Sequence, residues 1–356
     1  MRTFRVAIFG AFAVVAAAFV LTRLPAPPRP ALQPRSGPPL QSVVTWGYQL
    51  QGARAGLIAP EIDLVVIDHA REQSATDVLT AADVEVFRQR PGKSPRIVLA
   101  YMSIGEAERY RYYWSKTWTA SSWLGAGRPT WLGRENKDWK GNYHILYWLP
   151  DWQKIIFNPA PSRLDVLRSA WLKTPDAYID RILDAGFDGV YLDRVDAFGE
   201  WEKSRKTAEQ DMSDFVVRLS GYAKARRPGF LVVPQNGEEL TRRVNYRRAI
   251  DGLAKEDLMF GVDGPERDNK PDEIAEAVLQ LQRVRADNLP VFVVEYITDA
   301  AKRQRAQRRM AQLGFVLTFA ERDLHSEPTV MPPLPPVAAP ADTALPPPAN
   351  TRSPQR

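Results

Sequence analysis

The sequence predicts an α/β fold, a single (β/α)8 barrel of the TIM type with a tryptophan-rich insertion after its third strand. Three observations lead there. Short runs too apolar for burial on one face alone alternate with stretches of helical period, the pattern of a parallel sheet with helical crossovers. There are eight such runs, the number that closes a barrel. Of the 30 prolines, 17 lie in two terminal segments, which leaves a folded body of about residues 41–326, close to the size of one barrel.

Residues 1–23 begin Met-Arg-Thr-Phe-Arg and continue as an apolar run over 6–21. A charged head followed by an apolar stretch reads as a secretory signal or as an N-terminal membrane anchor, and either one exports the body. Residues 24–40 hold seven prolines and read as an extended linker. The eight strand-like runs are 43–46, 64–68, 96–102, 189–193, 230–234, 252–254, 291–296 and 315–319, with helical patterns over 81–90, 178–185, 204–226, 272–286 and 298–313. Residues 110–171 break this rhythm and contain eight of the ten tryptophans. Long loops on a barrel build its reactive face, and indole rings stack on the C–H faces of sugars. Trp114, Trp118, Trp148 or Trp152 is therefore expected to line a groove, with the remaining insertion tryptophans forming a small core of their own. Residues 327–356 hold the other ten prolines and read as a disordered tail.

Composition narrows the chemistry. The chain has no cysteine, so disulfides and thiolate metal sites are excluded. The terminal segments carry +5 of the net charge of +6, and the nearly neutral body is not that of a nucleic-acid binder. His69, His144 and His325 show no metal-ligand spacing. There is no phosphate loop, dinucleotide fingerprint or Gly-x-Ser-x-Gly elbow. No metal and no organic cofactor is expected.

What remains is a set of polar residues at strand ends. The stretch Phe187-Asp-Gly-Val-Tyr-Leu-Asp-Arg-Val-Asp-Ala-Phe198 runs from a buried strand straight into Asp193, Arg194 and Asp196. The C-terminal ends of barrel strands are where active sites lie, so Asp193 reads as catalytic; the alternative is a pairing with Arg194 or a helix cap. Other strand ends offer Asp68, Tyr101, Glu106, Gln235-Asn236, Glu256-Asp257, Glu295-Tyr296 and Glu321-Arg322. Carboxylates ringed by aromatics suit glycosidic cleavage, which uses one protonated and one ionised carboxyl group.

The segments Trp46-Gly-Tyr-Gln-Leu50, Val66-Ile-Asp68, Leu99-Ala-Tyr-Met-Ser-Ile-Gly-Glu-Ala-Glu-Arg-Tyr110, Asp188-Gly-Val-Tyr-Leu-Asp-Arg-Val-Asp196, Gln235-Asn-Gly237 and Glu256-Asp-Leu-Met-Phe260 resemble the extracellular glycosidases that include endo-α-1,4-polygalactosaminidases, the glycoside hydrolase family 114-like group. The resemblance covers nearly the whole body. It implies a barrel, export, and endo-acting, retaining cleavage of an α-linked polysaccharide containing amino sugars. It also implies Asp193 as nucleophile and Glu256 as acid/base, with Glu256 titrating above Asp193. On that reading Asp68, Tyr101, Asp196, Asn236, Glu295, Trp114 and Trp148 hold the substrate. The alternative is a non-catalytic polysaccharide-binding or matrix-assembly protein on the same barrel.

Overall fold

The computed structural model describes residues 31–118, 127–158 and 177–328. The segment 1–23, the tail from 329 and the insertion tryptophans Trp123 and Trp171 lie outside the described residues. Among those described, no helix is long and apolar enough to cross a membrane.

Among the described residues, eight strands run parallel, in two sheets. The first has the order β1 (Trp46–Tyr48), β2 (Leu64–Asp68), β3 (Ile97–Ser103), β7 (Gly189–Asp193), β8 (Leu231–Pro234). The second has the order β9 (Leu253–Glu256), β10 (Val291–Glu295), β11 (Val316–Phe319). Inside the insertion, β4 (Glu106–Glu108), β5 (Leu132–Glu135) and β6 (Asn142–Ile145) form a separate antiparallel sheet with β6 in the centre. The α-helices among the described residues are α1 (Ala81–Arg88), α2 (Pro150–Ile156), α3 (Tyr178–Asp184), α4 (Ala208–Arg226), α5 (Val244–Ala249), α6 (Pro271–Ala286) and α7 (Ala300–Leu313). Their ends carry local signals. Thr80 and Asp83 form a reciprocal cap at the start of α1, Pro271 opens α6, and Asp299 accepts the Lys302 amide at the head of α7.

The parity of each strand divides the core in two. Trp46, Tyr48, Leu64, Val66, Leu99, Tyr101, Tyr191, Leu231, Val233, Ala254, Phe292 and Val294, drawn from both parallel sheets, share one apolar cluster. The alternate residues, such as Val65, Val98, Val190, Val232 and Val293, pack with helix residues such as Phe215, Leu219 and Leu281 in another.

The continuous eight-stranded ladder expected from the sequence is not what the hydrogen bonds draw. Strands β8 and β9 meet through a single bridge, Gln235 with Ala254. The cause is Pro234. Gln235 N–H donates to Leu192 O on β7, so residues 232, 234 and 236 face β9, and Pro234 has no N–H to give. Val232 N–H is taken instead by the Asp251 carboxylate at 2.8 Å. At the other seam the Trp46 indole N–H donates to Val316 O at 3.0 Å.

Two further expectations shift. The first strand begins at Trp46 rather than 43, because the amides of Val44 and Thr45 are capped by the Asp63 carboxylate at 3.1 and 3.2 Å instead of entering a ladder. Residues 31–40 of the expected linker pack on the body. The Leu32 and Arg35 amides donate to Arg226 O and Pro228 O, and the buried Arg35 guanidinium lies 3.5 Å from Asp188.

The tryptophans of the insertion chiefly hold its own core. Trp114 packs on Trp118 and Tyr143, Trp118 on Trp131, and Trp131 on the fully buried Trp152. The Trp152 N–H donates to Ile104 O at 3.0 Å, which ties this core to the loop after β3.

Candidate active site

At the C-terminal ends of the parallel strands lies a cleft of ≈ 200 Å³ that contains both Asp193 and Glu256. Asp193 is the last residue of β7 and shares the face of Tyr191; Glu256 is the last residue of β9 and shares the face of Ala254. Strand alternation therefore aims both carboxylates inward, past the end of the apolar interior.

Each carboxylate is held by a tyrosine hydroxyl and by one further donor. Tyr101 O–H donates to Asp193 Oδ2 at 2.6 Å, and the Arg194 amide donates to Oδ1 at 2.7 Å. Tyr296 O–H donates to Glu256 Oε2 at 3.0 Å, and the Asn236 side-chain amide donates to Oε1 at 2.9 Å. The chain turns sharply just beyond these strands. Arg194, Asn236 and Asp257 all have positive φ, at 60°, 58° and 51°, a conformation L-residues avoid and that the surroundings must enforce.

The enforcement is visible at two of the three. The Arg194 guanidinium reaches Glu106 at 3.4 Å, Asp196 at 3.7 Å, and Glu200, which also contacts His144. Asn136 and Asn142 donate to Glu106 at 2.7 and 3.4 Å, joining this network to the antiparallel sheet. Gly105 is required beneath it, since a Cβ there would sit 2.1 Å from Arg194 O. Asp257 receives Arg322 on both oxygens at 2.7 and 2.8 Å, and the same guanidinium lies over the Tyr296 ring. Glu106, His144 and Glu200 are near enough to one another to hold a cation, but Arg194 already supplies their positive charge.

Burial, with the Glu256 carboxylate as the next cause, pushes Asp193 up to about 7 against the pull of Tyr101 and Arg194. The sequence reading expects this carboxyl to be ionised. Burial and the facing carboxylate outweigh Arg194, whose guanidinium is shared with Glu106, Asp196 and Glu200.

Of the expected substrate contacts, Asn236 touches Glu256 and stands behind it, and Tyr101 touches Asp193 and lines the cleft. The other expected substrate contacts do not line it. Asp68 is buried under Arg111, whose guanidinium donates to it at 2.7 Å and pairs with Glu108 at 2.6 Å. Burial alone would raise the Asp68 carboxyl, but Arg111 and His69 overcome it and hold the group well below the usual range. Asp196 turns into the Arg194 network. Glu295 has the wrong parity: it lies fully enclosed on the other face of β10, accepts the Met259 amide at 2.7 Å, and is pushed by burial up to about 8. Trp114 belongs to the insertion core. Trp148 packs on Trp201 and under Arg205, beside a different hollow with Gln153 and Asp211.

In their places the cleft has Tyr48, Tyr110, Trp139, Gln235, Tyr296 and Arg322. Tyr296 is the instructive case, offered at a strand end beside Glu295 and given no role there. Its sequence neighbour Glu295 drew attention by its charge, yet inward parity runs through Phe292 and Val294 of β10 to Tyr296 just beyond it.

Across residues 26–332 the chain matches the model of the glycoside-hydrolase family GH114. The uncharacterized protein MJ1477 of Methanocaldococcus jannaschii is 33% identical over 273 residues, 74% of this chain and 70% of that protein. Among solved structures, the glycoside hydrolase domain of PelA from Pseudomonas aeruginosa is similar in fold, with a TM-score of 0.55 and 19% identity over 81% of this chain and 98% of that one. Aspergillus fumigatus Ega3, solved in complex with galactosamine, has a TM-score of 0.56 and 16% identity over 85% of this chain and 99% of its own.

Proposed function

The chain belongs to the glycoside-hydrolase family GH114, and from that premise we propose that it is an exported enzyme cleaving within an α-linked polysaccharide that contains amino sugars. The observation that carries the proposal is the pair Asp193 and Glu256 in one cleft, each fixed by a tyrosine hydroxyl. The amino-sugar assignment draws on the galactosamine bound by the similar Ega3 and on the carboxylates of the cleft, which suit a protonated amine. Export rests on the charged head and apolar run of residues 1–21.

In this reading the two parallel sheets are arcs of one (β/α)8 barrel, supported by their shared apolar cluster, the Gln235–Ala254 bridge and the Trp46–Val316 hydrogen bond. The reaction runs across the open ends of its strands. Asp193 attacks the anomeric carbon as the glycosidic C–O bond breaks, and Glu256 gives its proton to the departing oxygen. Glu256 then takes a proton from water, which attacks the glycosyl–Asp193 ester and releases a product of retained configuration. Tyr101 and Tyr296 fix the attacking and proton-transferring oxygens, and Arg194 holds the strained turn beneath the nucleophile. A cationic sugar entering the cleft adds positive charge beside Asp193 and favours its ionised form, countering the elevation that burial and Glu256 cause.

The test is hydrolysis of α-1,4-linked galactosamine polymer, with the anomer of the first-formed product read by NMR. Retention with wild-type protein, and loss of new reducing ends with Asp193→Asn and Glu256→Gln, is expected. An inverted product would exclude Asp193 as a covalent nucleophile.

A further inference from the structure

Beyond the catalytic cleft, and sharing Trp139 and Arg194 with it, lies a second hollow of ≈ 300 Å³. That volume is at the low end of small-ligand sites, about 300–1,000 Å³. We propose that Trp139 and this hollow form an outer subsite that binds further pyranose units of the polysaccharide whose bond is cut between Asp193 and Glu256. The proposal rests on the polysaccharide reading above and adds the path that the chain follows away from the point of cleavage.

Trp139 differs from the other insertion tryptophans described. Trp114, Trp118, Trp131 and Trp152 are engaged ring to ring, and Trp148 packs on Trp201. Trp139 has no such ring partner among the described residues, is 52% exposed and lines both hollows. An indole left facing water at the join of two polar depressions offers a stacking platform for the C–H face of a sugar, a contact that water cannot replace.

The platform is also held in place. Trp139 sits in the turn joining β5 to β6, where its carbonyl accepts the Asn142 amide at 3.1 Å. The Asn136 amide donates to Asn142 O at 2.7 Å, and the Asn136 side chain donates to Glu106 on the cleft wall at 2.7 Å. The main chain that carries Trp139 is therefore anchored to the cleft wall. The hollow beyond supplies donors from Arg134 and Lys137 and acceptors from Asp138 and Glu200, the mixture that recognises neighbouring hydroxyl groups.

The experiment compares wild-type protein with Trp139→Ala and Trp139→Phe on length-defined oligosaccharides of whichever glycan, in a panel of amino-sugar and neutral α-linked polymers, wild-type protein cleaves. Trp139→Ala is expected to lower the ratio of kcat/KM on long over short oligosaccharides about tenfold, chiefly through KM, while Trp139→Phe keeps most of it. An unchanged ratio overturns the subsite. A second readout uses full-length Asp193→Asn and the indole N–H resonance of Trp139, assigned by its loss in the added Trp139→Phe change. Long oligosaccharides should shift this resonance and the shortest ones should not; a long oligosaccharide that binds without moving it also overturns the subsite. If no saccharide in the panel is cleaved or bound, the polysaccharide reading falls and the subsite with it.

Discussion

Asp68 and Asp193 end two strands of the same sheet, on the same face, with β3 and Tyr101 between them. Their surroundings are opposite. Asp68 meets Arg111, brought in by the insertion, and its charge is cancelled in a sealed cluster with Glu108 and His69. Asp193 meets a neutral hydroxyl, a backbone amide and, across the cleft, another carboxylate. One carboxylate is held ionised and inert; the other is left near its tipping point with an open side. The position of a carboxylate at a strand end is thus not enough to make it reactive. What the loop above it contributes decides the matter.

The sharpest way to test this contrast is to remove the charges one at a time. Glu256→Gln should lower kcat by roughly 10²–10⁴-fold, the usual contribution of a positioned acid/base. Glycosides with an acidic leaving group, which need no proton, should recover much of the first step in Glu256→Gln and none of it in Asp193→Asn. Asp68→Asn should leave most of the turnover of the folded protein in place. A thousandfold loss there, with the fold intact, would erase the distinction between the two sites.

Next in size is Arg111. Arg111→Met strands Asp68 and Glu108 without their buried counter-charge, and breaking such a pair costs about 3–5 kcal/mol. Denaturant unfolding should show a loss of this order, with the activity of the remaining folded protein affected far less. If kcat falls in step with stability, Arg111 reaches the cleft through Tyr101 and Tyr110, over which its guanidinium lies.

A smaller effect belongs to Tyr101. Its hydroxyl stabilises the ionised form of Asp193, and a hydrogen bond to a charged group contributes about 1.5–3 kcal/mol. Tyr101→Phe should therefore move the acid limb of kcat/KM, expected near pH 7 for wild-type protein, upward by roughly one unit. A limb that does not move would show that it reports some other group.

The contrast also marks how far the sequence could be read. The parallel α/β order and the strand-end place of Asp193 were legible, because buried parallel strands are continuous apolar runs that end abruptly in charge; Glu256, after the short run 252–254, stood out only through the family resemblance. Parity was not. A run such as Val291-Phe-Val-Val-Glu295 is apolar on both faces, so nothing in it says whether Glu295 or Tyr296 turns inward. Nor could the sequence show that Arg111 would cover Asp68, since the two are 43 residues apart and meet only through the insertion. Trp139 was one tryptophan of eight in that segment, set apart only by what its neighbours leave bare.

The pH dependence of stability should separate the two aspartates by sign. Asp193 is raised to about 7 from an unfolded value of about 3.9, so the folded state holds the extra proton between those limits. Its contribution to stability is complete below about pH 4 and is lost as the pH rises through about 7, where an ionised, poorly solvated carboxylate remains. Asp193→Asn removes that titration, so its melting temperature should overtake that of wild-type protein as the pH rises from 4 to 8. Asp193 opens onto the cleft, and water there trims the full linkage value; a gain of about 1–2 kcal/mol at pH 8 is expected. Asp68 is depressed, so its contribution is present above its unfolded value of about 3.9 and is lost as the pH falls below it. Asp68→Asn should therefore be destabilised relative to wild-type protein at neutral pH, and the gap should close only in acid. Thermal melts of the two variants across pH 2–8 should give difference curves that change in separate windows: Asp193→Asn gains on wild-type protein between about pH 4 and 7, and Asp68→Asn recovers its deficit only below about pH 4. Parallel curves would mean that Arg111 and the cleft do not divide the two carboxylates as the geometry requires.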